Sequence, residues 1–164
     1  MAQGNGWRAM RRWDLTDVAM VASKVHPDLP ECIEVFAERL RLFPAGCLVL
    51  ERGGAVVGYA ISHPIAPNTP PALNAFLGTI PETAEQFYIH DIAILPEARG
   101  AGQSHAAVEA LLRVAERYRS AALVSVYGTA EFWGRFGFTP AAVDMGSKLA
   151  PYGEDAVYMV RQAA

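Results

Sequence analysis

The stretch from Ile89 to Ala115 constrains the fold more than any other, because its hydrophobic period changes once and abruptly. Ile89, Ile92, Ile94 and Leu95 form a short apolar run, rich in β-branched residues, that suits a buried strand. Pro96 stops it. From Ser104 the spacing becomes helical: Ala107, Val108, Leu111, Leu112 and Ala115 share one face, and Glu109, Arg113, Glu116 and Arg117 fill the other. A strand, a glycine-rich turn and a long amphipathic helix must therefore follow one another directly.

The turn is Arg99-Gly100-Ala101-Gly102-Gln103-Ser104. Its glycines allow positive φ and a close approach of backbone to a ligand. The first turn of a helix leaves N–H donors unpaired and carries the positive end of the dipole. Together these features suit phosphate oxygens, with Arg99 and the Ser104 hydroxyl as further donors. The alternative is a strand–helix turn that uses glycine for geometry alone, and the turn by itself does not choose between them.

A chain of 164 residues fits one domain, 1–164, with a sizeable core. Net charge is −3, which argues against a nucleic-acid footprint despite the local cluster Arg8, Arg11 and Arg12. Cys32 and Cys47 supply neither a disulfide framework nor metal-ligand spacing, and no metal is expected. No apolar run is long enough to span a bilayer and no signal core is visible, so a soluble cytoplasmic protein is expected.

Taken in order, Trp7 to Trp13 reads as a weak first strand. Asp14 or Thr16 caps a helix bearing Val18, Ala19, Val21 and Ala22, which Pro27 and Pro30 break. A second helix runs from about Glu31 to Leu42, and Pro44 and Gly46 stop it. Cys47–Glu51 and Ala55–Ser62 form a hairpin around Gly53-Gly54, with Gly58 marking a gap or bulge. His63 to Pro81 is a long proline-rich loop, read either as a lid over a pocket or as cover for a sheet edge. Ala122–Tyr127 is another strand, Gly128–Gly137 a short helix, Phe138 starts a further strand, and Ala156–Val160 is the last. The order describes a mixed α/β layer with helices on the faces of one sheet.

I-A-I-L-P-E-A-R-G-A-G-Q-S, Ile92 to Ser104, resembles the signature of the GNAT superfamily of acyl-CoA-dependent N-acyltransferases. Phe132 to Phe138, F-W-G-R-F-G-F, resembles the aromatic and Gly-Phe block that follows the fifth strand in that family. Gly58–Pro64 with Phe87–Asp91 looks like a bacterial branch of it. The resemblance implies a mixed, mostly antiparallel sheet with helices on both faces and a splay between the fourth and fifth strands. It implies acetyl-CoA as co-substrate, a small-molecule or peptide amine as acceptor, and a homodimer as a common assembly. By that resemblance the pantetheine arm lies along the backbone of Ile92, Ala93 and Ile94 like an added strand. The pyrophosphate lies on the backbone N–H groups of Gly100, Gly102, Gln103 and Ser104, with Arg99 and Ala101 in the same turn; Trp133, unlike the family's usual tyrosine, is read as packing against the arm.

Acetyl transfer needs a proton acceptor for the amine and help for the leaving thiolate. His90 is the candidate base, since an imidazole titrates near neutral pH and family members place a histidine there. Tyr88 shares its strand face and could line the acceptor pocket or relay a proton. Asp91 should face away from His90 unless a bulge intervenes. The family often has tyrosine where this chain has Trp133, and indole only donates a hydrogen bond, so either Tyr127 is the acid or the thiolate departs without one. His26 and His63, each beside a proline, show no recognisable partner, and His105 reads as a solvated helix residue. An acyl-CoA-binding sensor without turnover is the competing reading that Trp133 motivates.

Overall fold

The computed structural model describes residues 4–163; residues 1–3 and 164, the ends of the expected domain, lie outside the described residues. In chain order the elements are β1 (Gly6–Ala9), α1 (Leu15–Val25), α2 (Ile33–Leu42), β2 (Cys47–Arg52), β3 (Ala55–Ile65), β4 (Gln86–Ile94), α3 (Gln103–Ala115), β5 (Ser120–Ser125), α4 (Ala130–Gly134), β6 (Thr139–Pro140) and β7 (Val157–Gln162). The strands form one sheet in the order β1-β2-β3-β4-β5-β7-β6. All neighbours are antiparallel except β4 and β5. The mixed, mostly antiparallel sheet expected from sequence is therefore present.

Side-chain alternation divides the core between the two faces. Val18, Val21 and Phe36 of α1 and α2 pack on Val49, Tyr59, Ile61 and Ala93. Leu111 and Ala115 of α3 pack on Phe87, Ile89 and Leu123 from the other side, with Trp133 of α4 at their edge. The first strand is shorter than Trp7–Trp13, because Asp14 pulls the chain out of the sheet. Its carboxylate accepts from both terminal nitrogens of Arg8, at 2.8 and 2.9 Å, and from Arg11 N at 2.8 Å, which winds Arg12–Asp14 into a 3₁₀ turn. Gly58 leaves no room for a side chain between β3 and β4: a Cβ there would stand 2.9 Å from Ala93 O. The bulge lies beside it, where Val57 is the extra residue between the pairs Leu50–Gly58 and Glu51–Val56.

β4 and β5 pair only from Gln86–Ser120 to Ile89–Leu123. Beyond Ile89 the strands part, and the outer edge of β4 has no strand partner. This is the splay.

The loop differs from the sequence expectation. β3 continues through His63 and Pro64 to Ile65, so the loop starts at Ala66. It is a fixed wall, held at both ends and in the middle. Gln86 Oε1 takes Asn68 N at 3.0 Å, and Tyr152 Oη donates to Pro71 O at 2.9 Å. Arg39 Nη1 donates to Ala75 O at 2.9 Å, and Glu38 accepts from Leu77 N at 2.6 Å and Gly78 N at 3.0 Å. Arg39 and Glu38 are both buried and also bond each other at 3.0 Å.

Glu38→Ala would take from the buried Arg39 guanidinium the carboxylate it bonds, leaving Glu31 as the remaining nearby negative charge, and release two loop amides. The variant should lose about 3 kcal/mol or more of unfolding free energy, as broken buried pairs do. Urea unfolding measures the loss. Hydrogen exchange should quicken first at Leu77 and Gly78; unchanged protection there would show that the wall is held by other contacts.

Candidate active site

A cleft of about 630 Å³ opens where β4 and β5 part. Ile92, Ile94, Arg99, Ser104 and Trp133 line one end, and Val25, Leu29, Leu73 and Tyr152 the other. His26, Glu31, His90, Asp91 and Tyr127 also line it.

β4 carries one residue too many for its pairing with β3. Ile61 faces Asp91 and Ser62 faces Ile89, so His90 is a bulge. Ile89 points to the α3 side and packs with Leu111. Asp91, only two residues on, accepts a hydrogen bond from Tyr59 on the α1 side. Regular alternation would have kept these two on one face. The bulge thus brings His90 and Asp91 into one cleft, which simple strand spacing forbids.

Each then finds a partner from the connection between α1 and α2. His90 Nε2 lies 2.7 Å from Glu31 Oε1, and His26 Nε2 lies 2.9 Å from Asp91 Oδ1. His26 Nδ1 meets Tyr127 Oη at 3.0 Å across the cleft, with the rings stacked at 5.6 Å. Glu31 also accepts from Asn74 N at 3.0 Å, so one carboxylate holds both the histidine and the loop wall. Tyr127 sits at φ +56°, in the left-handed region that non-glycine residues seldom occupy.

Burial and partners pull these groups apart electrostatically. Burial favours the neutral carboxyl of Asp91, but the hydrogen bond and charge of His26, with Tyr59, hold it below the usual carboxylate range. Glu31 is likewise held down against burial by His90 and the Asn74 amide. Burial disfavours charged His26, yet Asp91 and Glu31 raise it. His63 has burial against it, with His90 and Arg39 adding to the effect, and is pushed down to about 3.

The start of α3 is built for close approach. Gly100, Ala101 and Gly102 all have positive φ, and a Cβ on either glycine would meet nothing within 4 Å. Trp7 Nε1 fixes the turn by donating to Gln103 O at 2.9 Å. Two expected donors are already engaged: Gln103 N bonds Gly100 O at 3.3 Å and Arg99 Nε bonds Ile94 O at 2.9 Å. Among the described residues, the amides of Ser104 and His105 have no protein acceptor, and the next amide, Ala106 N, is taken by Gly102 O. These free amides, the Ser104 hydroxyl and the unpaired edge of β4 fit a pantetheine diphosphate.

Other residues are placed differently from their sequence reading. Tyr88 is fully buried and does not line the cleft; it lies beside the rings of His63 and His90 and next to Tyr152, behind the lining. The sequence reading left His26 without a partner, and the structure gives it two. His63 is a strand residue wholly removed from solvent, whose Nε2 meets no protein group. Ala93 turns its side chain into the core under α1, so only its backbone is available to the cleft. Glu31 and His26 carried no local signal, since their partners lie 59 and 65 residues away. His105 bonds Glu109 on the exposed face of α3. Among the described residues no cluster of three or more His, Cys, Asp or Glu side chains is arranged to hold a metal ion, and no helix is long and apolar enough to cross a membrane.

The sequence matches the acetyltransferase (GNAT) family over residues 7–138. No curated protein matches it. Solved structures share the fold at low identity. The loading GNATL domain of CurA from Lyngbya majuscula is 15% identical with a TM-score of 0.80, covering 96% of each chain. The GphF GNAT-like decarboxylase in complex with isobutyryl-CoA is 17% identical with a TM-score of 0.77, covering 95% of this chain and 98% of that one. Arabidopsis thaliana Naa50 with the bisubstrate analogue CoA-Ac-MVNAL is 13% identical with a TM-score of 0.70, covering 96% and 97%.

His63, buried behind the cleft, and His26, which lines it, should be shifted in opposite directions. Neutral His63 gives stability that is complete above 6.5 and is lost as pH falls toward about 3. His26, raised above 6.5, gives stability that is present below that value and lost as pH rises through its folded pKa. Imidazole proton shifts followed by NMR should show His63 still neutral at pH 5. Asp91→Asn should move the His26 midpoint down, because burial then acts with one carboxylate fewer against it. A His26 midpoint indifferent to Asp91→Asn would break the pairing.

Proposed function

The chain belongs to the acetyltransferase (GNAT) family, and from that premise we propose that it moves an acetyl group from acetyl-CoA to a primary amine by direct attack on the thioester. The observation that carries this reading is the meeting, at one point of β4, of an unpaired strand edge, free helix-start amides and a histidine–carboxylate pair. The isobutyryl-CoA of the GphF structure and the CoA analogue of the Naa50 structure support a CoA-type co-substrate. In this proposal the arm lies along the backbone of Ile92 to Ile94. The diphosphate is held by the Ser104 and His105 amides, the Ser104 hydroxyl and the terminal nitrogens of Arg99, and Trp133 packs on the arm.

His90 is the base. Its Nε2–H is held by Glu31, so Nδ1, buried and without a protein partner, carries the lone pair, and in this proposal the amine proton reaches it through a water admitted with the acceptor. Glu31 stabilises the imidazolium that results. The amine nitrogen bonds the acetyl carbon and the C–S bond breaks. The departing thiolate takes the Tyr127 hydroxyl proton, and the His26 imidazolium, oriented by Asp91, returns a proton to the phenolate. The proton that His90 gains and the one His26 gives are equal, and exchange with solvent resets both. Trp133 favours one other reading, acyl-CoA binding without turnover, because its indole cannot supply the proton a tyrosine would.

Calorimetry should detect acetyl-CoA binding to the wild type and not to Gly102→Glu, whose side chain would put a carboxylate into the anion site at a strained φ of +71°. Thiol release with a broad amine panel then separates the two readings. His90→Ala should lower kcat by about 10²–10⁴, with acetyl-CoA affinity kept. Equal binding by wild type and Gly102→Glu sinks the cofactor site; binding without any thiol release leaves the sensor.

A further inference from the structure

The half of the cleft away from α3 has a definite chemical character, and it bears on what the acceptor can be. Its apolar walls are Val25, Leu29, Leu73 and Tyr152. Leu73 is preset, because Pro71 O is tied to Tyr152 and the neighbouring Asn74 is tied to both Glu31 and Cys32 N. The polar groups facing this half are Glu31 and Asp91, with His90 and His26 on them.

Cations are almost absent. Arg99 is the one Lys or Arg among the described residues that line the cleft. It belongs to the α3 end and is fixed by its bond to Ile94 O. Arg39 comes near Glu31 from behind, but its side chain is fully buried and spends Nη1 on Glu38 and Ala75 O. A carboxylate brought in on the acceptor would meet two carboxylates, and the one imidazolium nearby, His26, already spends both ring nitrogens on Asp91 and Tyr127. A primary ammonium would meet both carboxylates, and an apolar body would fill the Leu29, Leu73 and Tyr152 side.

We propose that the acceptor is a primary amine on an apolar body, with no anionic group beside the amine. This rests on the transferase reading above and narrows its substrate. Free α-amino acids are disfavoured by unpaired burial of their carboxylate. Their amides and the corresponding plain amines keep the ammonium and the apolar group and lose only the charge that does not fit.

The test uses three compounds with one side chain: 3-methylbutylamine, leucine and leucinamide, each with acetyl-CoA and read by thiol release. Amine and amide should exceed the acid in kcat/KM by about tenfold or more. The ratio of amide to amine separates a free amine from a peptide terminus as the source of that chemistry. Leu29→Arg, at a half-buried loop position, should reverse the order by supplying the missing cation. Acetyl-CoA affinity is measured on the same samples. Loss of that affinity defeats the transferase reading itself. Retained affinity with leucine equal or preferred, or with none of the three used while another amine of the broad panel is, overturns the apolar-amine proposal alone; retained affinity with no amine used leaves the sensor.

Discussion

The extra residue in β4 is the feature on which the site depends. A strand that kept its register through His90 would send Asp91 to the α3 face, among Ile89 and Leu111 and away from His26 and Tyr59. The bulge turns both side chains to the α1 face and coincides with the last pair that β4 makes with β5. Bulges increase local twist and end pairing. One local event therefore opens the cleft, frees a strand edge along it and delivers two titratable groups to its floor.

Stability alone is a weak account of those groups. Removing charges from water costs more than most buried pairs return, and this molecule buries or half-buries three such pairs within a small volume: Glu31–His90, Asp91–His26 and Glu38–Arg39. Their shared effect is to fix geometry. Glu38 and Arg39 fasten the loop from α2, and Glu31 fastens it again through Asn74 while holding His90. A loop of twenty residues without regular structure, Ala66 to Glu85, would otherwise be expected to move. Here polar anchors replace the sheet or helix that the sequence does not provide.

Much of this was legible along the chain, and the divide follows distance. The period change at Pro96, the glycine turn and the α3 stripe are local signals, and β4, the turn and α3 stand where they were read. The same holds for the splay, which came with the family resemblance. The pairing of His26 with Asp91 spans 65 residues, and nothing near His26 except a following proline marks it. Strand alternation, applied correctly, gave the wrong face for Asp91, because a bulge is set by how β3 and β4 pack. Tyr88 was misread for a related reason: sharing a face with His90 does not mean sharing a cavity, and Tyr88 is buried among His63, His90 and Tyr152 while only the last two line the opening.

The replacement of tyrosine by Trp133 has a structural counterpart on the other side of the cleft. Trp133 packs edge-on to Phe138 and closes the core under α4, so its ring serves packing as well as lining. Tyr127 leaves the end of β5 with a left-handed backbone, a conformation of order 1–3 kcal/mol above the ordinary regions. That turn is what carries its hydroxyl across the splay to His26 rather than onward with the strand. A strained residue whose side chain reaches a charged pair on the opposite wall is a better donor position than α4 itself, which is only five residues long and holds no ionisable group facing the cleft. On the proposed chemistry the acid has thus moved from the helix to the strand end. Its histidine partner follows from the bulge, since only a displaced Asp91 can hold His26 where Tyr127 arrives.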